Sequence, residues 1–304
     1  MPTHYLAIDL GAESGRVMLG SLADGRLALE EIHRFANVPL KDAGSLYWDL
    51  PRLFDGVKAG LRLAAARRLP IASMSCDSWG LDCVLLDAAG EPILPAFHYR
   101  DPRTARGVET LFAKVTWETV FAETGIQFMP INALYHLAAE TPARLRRAAQ
   151  IVPLGDTFNY LLCGVARAEV SLASTTQLYN PRAAAWSRPL LDALGLTPEQ
   201  FPALVPSGTR RGPLKPELAR EAGLPPIEVL ATCSHDTGAA VVAVPADPQF
   251  AIRSSQFEIP RWAYLSSGTW SLLGLELPAP VFTDQCRELN FTNEMGPAIT
   301  DDTN

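Results

Sequence analysis

Residues 4–22 read HYLAIDLGAESGRVMLGSL, and this stretch decides the fold. An apolar strand enters the turn Gly-Ala-Glu-Ser-Gly (11–15) and returns as a second strand. The pair Asp24-Gly25 is a strong hairpin signal, and residues 27–30 alternate as a third strand. The chain therefore opens with an antiparallel β-meander and no early helix. This excludes the strand–glycine loop–helix start of a Rossmann unit or a P-loop.

The rest of the chain predicts a mixed α/β protein. Asp49 is suited to cap a helix that ends before Pro70, and short buried strands are predicted over 71–76 and 228–233. A polar, proline-containing stretch predicts a domain boundary near residue 245. We expect a first domain at 1–245, a linker at 246–261 and the opening of a second domain at 262–304, with a strand pair around 266–269.

Composition excludes several classes of protein. The chain has 304 residues, of which 48% are hydrophobic and 19% charged, enough apolar material for a sizeable core. The net charge of −7 disfavours nucleic acid as a partner. The five cysteines are odd in number and lack a C-x-x-C spacing, which predicts reduced thiols. No apolar run is long enough to span a membrane, and Asp9 interrupts the N-terminal run, so we expect a cytoplasmic protein.

The turn at residues 9–16 has the groups that bind phosphate. Gly11 and Gly15 permit positive φ and let backbone N–H groups approach an anion, while Ser14 adds a hydroxyl and Arg16 a bidentate cation. Asp9 ends an apolar strand and is suited to a hydrated Mg²⁺. The alternative is an ordinary tight hairpin with a solvated arginine.

Three further stretches contain groups suited to chemistry. Asp236, in Ser-His-Asp-Thr-Gly (234–238), lies where a strand meets an apolar helix; it is either a base for phosphoryl transfer or a helix N-cap. The turn Ser-Ser-Gly-Thr (266–269) is a second phosphate-facing turn or a plain hairpin. Trp79, between Asp77 and Asp82, suits a polyol or is a core aromatic.

Eight motifs occur in one order along the chain. They are DLGAESGRVM (9–18), DSWGLD (77–82), YRD (99–101), GIQF (125–128), TTQ (175–177), SHDTG (234–238), YLSSGTWSL (264–272) and NFTNE (290–294). In these motifs the chain resembles the FGGY carbohydrate kinases, and within them the members that phosphorylate L-rhamnulose. The resemblance implies an actin-like ATPase (ribonuclease H-like) α/β fold, with a complete N-terminal domain and a partial second domain of the same type.

The resemblance also implies the reaction and the site. ATP, with Mg²⁺, would phosphorylate O1 of L-rhamnulose in rhamnose catabolism; the alternative sugars are L-fuculose and D-xylulose. The residues implied by the family's motifs are Asp236 as catalytic base; Gly80, His235, Asp236 and Thr237 for the ketose; Ala12, Glu13, Ser14, Gly15, Arg16 and Thr269 for ATP; and Asp9 for the metal. The expected partner is a small sugar, with no nucleic acid or membrane, and the oligomeric state stays open.

The length of the chain leads to a further expectation. The family's second domain continues well beyond the NFTNE motif, and residues 295–304 do not resemble that continuation. We therefore expect a truncated or frameshifted product, with exposed apolar surface around Trp270, Leu272 and Leu273. Two other hypotheses remain: an inactive fragment that still binds sugar, and another actin-type ATPase without a sugar substrate, which the motif around Trp79 disfavours.

Overall fold

A computed structural model describes residues 2–245, 251–253, 258–260 and 262–297. The strands are β1 (Thr3–Leu10), β2 (Ser14–Ala23), β3 (Arg26–Ala36), β4 (Leu40–Asp42), β5 (Ser45–Trp48), β6 (Ile71–Ser78), β7 (Cys83–Leu86), β8 (Ala96–Phe97), β9 (Gln150–Pro153), β10 (Ala168–Glu169), β11 (Tyr179–Asn180), β12 (Ala185–Trp186), β13 (Leu204–Val205), β14 (Arg210–Pro213), β15 (Glu228–Leu230), β16 (Ala251–Arg253), β17 (Glu258–Pro260), β18 (Tyr264–Ser267) and β19 (Ser271–Gly274). The helices are α1 (Leu50–Ala65), α2 (Thr104–Phe112), α3 (Trp117–Thr124), α4 (Ala133–Ala138), α5 (Pro142–Arg147), α6 (Leu154–Cys163), α7 (Val170–Thr175), α8 (Arg188–Leu194), α9 (Pro216–Ala222), α10 (Asp236–Val242) and α11 (Asp284–Glu288), with a 3₁₀ turn at Pro198–Gln200.

The main sheet in the described part of the chain has six strands, in the order β14-β15-β6-β1-β2-β3. The predicted meander supplies the antiparallel strands β1, β2 and β3, while β6 runs parallel to β1 and β15 parallel to β6. Leu6, Ile8 and Leu10 alternate with more exposed residues along β1 and are buried, because every second side chain faces the core. Because β1, β6 and β15 run parallel to one another, their carboxyl ends lie at the same edge of the sheet.

Local signals in the sequence set the turns and caps as expected. Asp24 and Gly25 have φ of 50° and 71°, so both central residues of the β2–β3 turn take the left-handed conformation of a type I′ turn. The carboxylate of Asp49 accepts a hydrogen bond from the backbone N–H of Arg52 at 3.1 Å and caps α1. All five cysteines are free thiols, as predicted.

The strand predicted before Asp236 is shorter than expected. The strand predicted over 228–233 ends at Leu230, and the backbone then approaches β6, where the N–H of Ser78 donates to the carbonyl of Ser234 at 2.9 Å. The strand that follows β6 begins only at Cys83, because Leu81 has a φ of 78° that an extended strand does not allow.

Residues 262–297 contact the first part of the chain. They contain the hairpin β18–β19, confirming the predicted strand pair, and the short helix α11. Leu273 and Trp270 are 78% and 46% exposed and Leu272 is half-buried, so the expected apolar exposure is present. The predicted linker at 246–261 falls mostly outside the described residues. Within the described residues, every helix is too short or too polar to cross a bilayer.

Candidate active site

Three carboxylates meet at the edge of the main sheet. Asp9 at the end of β1 is in register with Asp77 near the end of β6, and a bridge between Ser78 and His235 brings Asp236 beside them. Burial raises the pKa of Asp77 well above its usual range, and the charges of Asp9 and Asp236 raise it further. This edge of the sheet therefore places three carboxyl groups near one another, and the buried one, Asp77, resists ionisation.

Asp9 is partly neutralised by its neighbour across the hairpin. Arg16 stands opposite Asp9 in the β1–β2 register, and its Nη1 lies 3.5 Å from the Asp9 carboxylate. Burial raises the pKa of Asp9, Arg16 lowers it, and the charge of Asp236 raises it again. The sequence placed this acid and this arginine at one turn, and the fold brings their side chains together.

The conformation of the turn at 11–15 is stabilised by a hydrogen bond within its own backbone and by Asn37, a residue that the sequence did not indicate. The N–H of Gly11 donates to the carbonyl of Ser14 at 3.0 Å, and the buried side chain of Asn37 donates to the carbonyl of Gly11 at 3.0 Å. The backbone N–H of Asn37 donates to Glu13 at 2.9 Å. These contacts fix the backbone of the turn, and Asn37 itself does not line the cleft.

The glycines of this turn serve close packing, and the predicted positive φ is wrong. Neither Gly11 nor Gly15 has a positive φ. A Cβ on Gly15 would lie 2.3 Å from the ring of Phe35, and a Cβ on Gly11 would lie 3.1 Å from the carbonyl oxygen of Ser14. Gly15 is buried and does not line the cleft, in contrast to the other predicted residues of the turn.

Asp236 is the first residue of α10, and the preceding His235 takes the N-cap position. The interpretation of Asp236 as a plain N-cap is therefore wrong. Its Oδ1 accepts a hydrogen bond from the backbone N–H of Thr237 at 2.6 Å and lies 3.5 Å from Nε2 of His235. About a third of the Asp236 side chain remains exposed, at 35%. A carboxylate in the first turn of a helix, open to a cleft, can accept a proton from a bound hydroxyl.

A second carboxylate reaches His235 from the opposite side. Oε2 of Glu294 lies 3.2 Å from Nδ1 of His235, whose side chain is only 8% exposed. Burial opposes the charged ring, but the charge and hydrogen bond of Glu294, with the charge of Asp236, outweigh it and raise the pKa of His235 to about 9. The imidazole is therefore charged at neutral pH.

A buried polar network supports the loop before Asp236. The backbone N–H of Ser234 donates to Glu169 at 3.0 Å, and its hydroxyl donates to Asp156 at 3.2 Å. Arg211 forms an ion pair with Asp156, and both side chains are fully buried. The hydroxyl of Ser171 also donates to Glu169. These residues are far apart in sequence and match no motif pattern, so sequence reasoning missed them.

The aromatic loop at 77–82 is more buried than a sugar-stacking surface would be. Trp79 is 6% exposed, and the indole N–H groups of Trp79 and Trp48 each donate to Oδ2 of Asp82 at 2.7 Å. Burial raises the pKa of Asp82 to about 7 despite these bonds. Gly80 passes close to Thr175, where a Cβ would lie 2.6 Å from the hydroxyl oxygen. The core interpretation of Trp79 is therefore correct, although its edge still borders the cleft.

The hairpin β18–β19 closes the cleft from the other side. Its turn contains Thr269, which is exposed, and the ring of Trp270 lies 5.5 Å from the guanidinium of Arg100. The cleft has a volume of about 1610 Å³. The sequence-predicted site residues that line it are Asp9, Ala12, Glu13, Ser14, Arg16, Gly80, His235, Asp236, Thr237 and Thr269.

Comparisons with known proteins agree with this arrangement. The N-terminal domain of the FGGY family of carbohydrate kinases matches residues 4–243. A rhamnulokinase of Bacteroides thetaiotaomicron is 41% identical over 97% of this chain, and one of Bacillus subtilis is 37% identical over 96%. The chain spans 59% and 58% of the length of these curated relatives.

Solved structures show the fold. A carbohydrate kinase from Novosphingobium aromaticivorans has a TM-score of 0.73 at 24% identity, covering 93% of this chain and 58% of the other. A gluconate kinase from Lactobacillus acidophilus has a TM-score of 0.68 at 17% identity, covering 76% and 48%. The expected actin-like ATPase fold is confirmed.

Proposed function

This chain belongs to the FGGY family of carbohydrate kinases, and from that premise we propose that the protein transfers the γ-phosphoryl group of ATP to O1 of L-rhamnulose. The observation that carries the proposal is the position of Asp236, about a third exposed, in the same cleft as most residues of the turn at 11–16. The choice of sugar is supported by the relatives, which are named rhamnulokinases.

Asp236 is the base in this proposal. Its Oδ1 is occupied by Thr237 and faces His235, which leaves Oδ2 for the hydroxyl of the sugar. The carboxylate takes the proton of that hydroxyl as the oxygen attacks phosphorus. His235, Thr237 and Gly80 line the same cleft, and in this proposal they orient the ketose.

In this proposal Ala12, Glu13, Ser14 and Arg16 hold the phosphates of ATP, with Thr269 on the facing hairpin. Gly15 is buried and only lets the turn pack closely. The cation of Arg16 and the polar turn suit an anion at this end of the cleft. ATP supplies the phosphoryl group when bound. Since the geometry is set by rigid strands, this chain's contribution is positioning and charge neutralisation.

Asp9 is the carboxylate at the sheet edge that we propose to face Mg²⁺. Burial raises the pKa of Asp9, and the charge of Asp236 raises it further; a hard cation at Asp9 would offset both effects. In the described part of the chain, no three acidic, histidine or cysteine side chains converge tightly enough to cage a metal. Asp9 would therefore hold an ion that keeps most of its waters, which is the usual mode for Mg²⁺ in kinases.

We also propose how the chain is divided into domains. Residues 1–245 form the domain that binds the sugar and supplies the base, 246–261 the linker, and 262–304 the opening of the second domain. The family match at 4–243 supports the first boundary. We propose a cytoplasmic location, because a small phosphorylated sugar is used inside the cell.

The test is an assay of ADP release with MgATP and L-rhamnulose, L-fuculose or D-xylulose. We expect the highest kcat/KM with L-rhamnulose. Asp236→Asn should lower kcat by about 10²–10⁴-fold while calorimetry still detects sugar binding. Asp192→Asn is the matched control, because Asp192 is 57% exposed and pairs with Arg188 on the surface. Activity with none of the sugars in a folded sample, or full activity in Asp236→Asn, would refute the proposal.

A further inference from the structure

Two of the sequence motifs contact each other in the folded chain. The side chain of Asn290 pairs with the backbone of Phe128: the N–H of Phe128 donates to Oδ1 at 2.7 Å, and Nδ2 donates to the carbonyl at 3.1 Å. The side chain and backbone N–H of Asn293 both donate to the carbonyl of Gly125, at 2.8 and 3.0 Å. The segment that follows α11 is therefore held to the first domain by hydrogen bonds to the backbone of Gly125 and Phe128.

Glu294 lies between two fixed residues. Asn293 precedes it, and the backbone N–H of the following Met295 donates to the hydroxyl of Ser174 on α7 at 3.0 Å. The backbone of Glu294 thus has little freedom, and its carboxylate reaches Nδ1 of His235 at 3.2 Å.

The backbone of His235 is also fixed by hydrogen bonds. Its backbone N–H donates to the hydroxyl of Ser171 at 3.3 Å, and its backbone pairs with Ser78 at the end of β6. The ring therefore has one nitrogen against Glu294 and the other 3.5 Å from Asp236. This line of carboxylate, imidazole and carboxylate links the segment after α11 to the start of α10.

We propose that Glu294 is a positioning residue: it holds the ring of His235 through Nδ1, so that the N–H at Nε2 faces the carboxylate of Asp236 in the cleft. This inference rests on the proposed role of Asp236 as the base. The ring nitrogen orients the Asp236 carboxylate at 3.5 Å. The direction of the base toward the sugar is therefore set by Glu294, a residue that follows α11 and lies outside residues 1–245.

The electrostatics of the surroundings support this role. The charged groups that face His235 are Glu294 from the segment after α11, Asp236 on α10, Glu169 beside α7 and Asp77 on β6. All are acidic, and among them Glu294 has the largest effect on the imidazole, raising its pKa. In return, His235 lowers the pKa of Glu294 against the effect of burial.

The experiment follows the protonation of His235 directly. The chain has five histidines, so ring-nitrogen NMR of ¹⁵N-histidine-labelled protein resolves each, and His235→Gln assigns the signal. We expect a titration midpoint near 9 in the wild type, falling toward 6.5 in Glu294→Gln. Glu294→Asp keeps the charge and should restore part of the difference.

The matched control is Glu288→Gln, since that side chain is 71% exposed on α11; its midpoint should equal the wild type. Where the wild type turns over, Glu294→Gln should lower kcat about ten- to a hundredfold, the range expected for a misplaced catalytic group. A merely structural glutamate would change the melting temperature without moving the His235 midpoint.

The two proposals fail separately, because the titration needs neither sugar nor nucleotide. An unchanged His235 midpoint in folded Glu294→Gln, from a protein whose wild type is an active kinase, overturns the role of Glu294 alone. A shifted midpoint in a protein that phosphorylates no sugar supports the pairing of Glu294 with His235 and overturns the proposed function.

Discussion

Replacing Arg211 by methionine should be among the most destabilising single changes near the site. The side chains of Arg211 and Asp156 are both fully buried and form an ion pair. Burial raises the pKa of Asp156 to about 6 even with Arg211 present, so the carboxylate is ionised at pH 7.5 and depends on its partner. Removing one member of a buried pair leaves an uncompensated charge in the core.

The magnitude follows from this burial. Breaking a buried pair typically costs about 3–5 kcal/mol, which corresponds to a melting temperature lower by roughly 6–20 °C in a domain of this size. Because Asp156 also accepts from Ser234 and from the N–H of Glu169, the loop before Asp236 should loosen as well. Sugar affinity should therefore fall together with stability.

The assay is thermal unfolding at pH 7.5 and pH 5.5, with two comparison variants. Arg188→Met removes an arginine that is 66% exposed and should cost less than about 1 kcal/mol. Asp156→Asn combined with Arg211→Met should recover part of the loss, because a buried amide needs no counter-charge. The deficit of Arg211→Met should shrink at pH 5.5, where Asp156 takes up a proton. A melting temperature of Arg211→Met equal to that of Arg188→Met would refute the reasoning.

Two further predictions concern the cleft. Gly80→Ala should destabilise the chain by about 1–3 kcal/mol and weaken sugar binding in calorimetry, because the new Cβ would lie 2.6 Å from the Thr175 hydroxyl. Gly20→Ala is the control, because the atom nearest to its new Cβ would be 3.5 Å away. Equal stability of the two variants would contradict the prediction. Burial opposes the charge on His235, but Glu294 raises its folded pKa to about 9 from 6.5, so the stabilisation by this proton is complete below pH 6.5 and is lost as pH rises to 9. The melting temperature should fall over that window, and parallel curves for the wild type and Glu294→Gln would show that His235 is not the cause.

The parts of the fold that sequence predicted correctly depend on neighbouring residues. The type I′ turn at Asp24 and Gly25, and the cap of α1 by Asp49, need only a few residues each, so their patterns are visible in the chain itself. The same holds for the predicted hairpin of β1 and β2, since a tight turn brings neighbouring strand residues into register.

Where sequence reasoning was incomplete, the deciding contacts join distant segments. Gly15 was interpreted as a source of positive φ, whereas its lack of a side chain makes room for Phe35 of β3. The indole of Trp79 was considered for the sugar, whereas Asp82 and Trp48 enclose it. Local spacing in the sequence does not predict either contact. Each depends on which side chain of a distant segment the fold places against Gly15 or Trp79.

The sequence by itself determined the antiparallel opening, the alternation of strands and helices, the family, and the candidate acid at the start of α10. Only the tertiary structure decided how the charges are arranged. Parallel pairing of β1 with β6 brings Asp77 beside Asp9, and contacts across more than fifty residues join Asp156 to Arg211 and Glu294 to His235. The reason is physical: the protonation state of a carboxylate or an imidazole depends on burial and on charges within a few ångströms, and folding alone sets those distances.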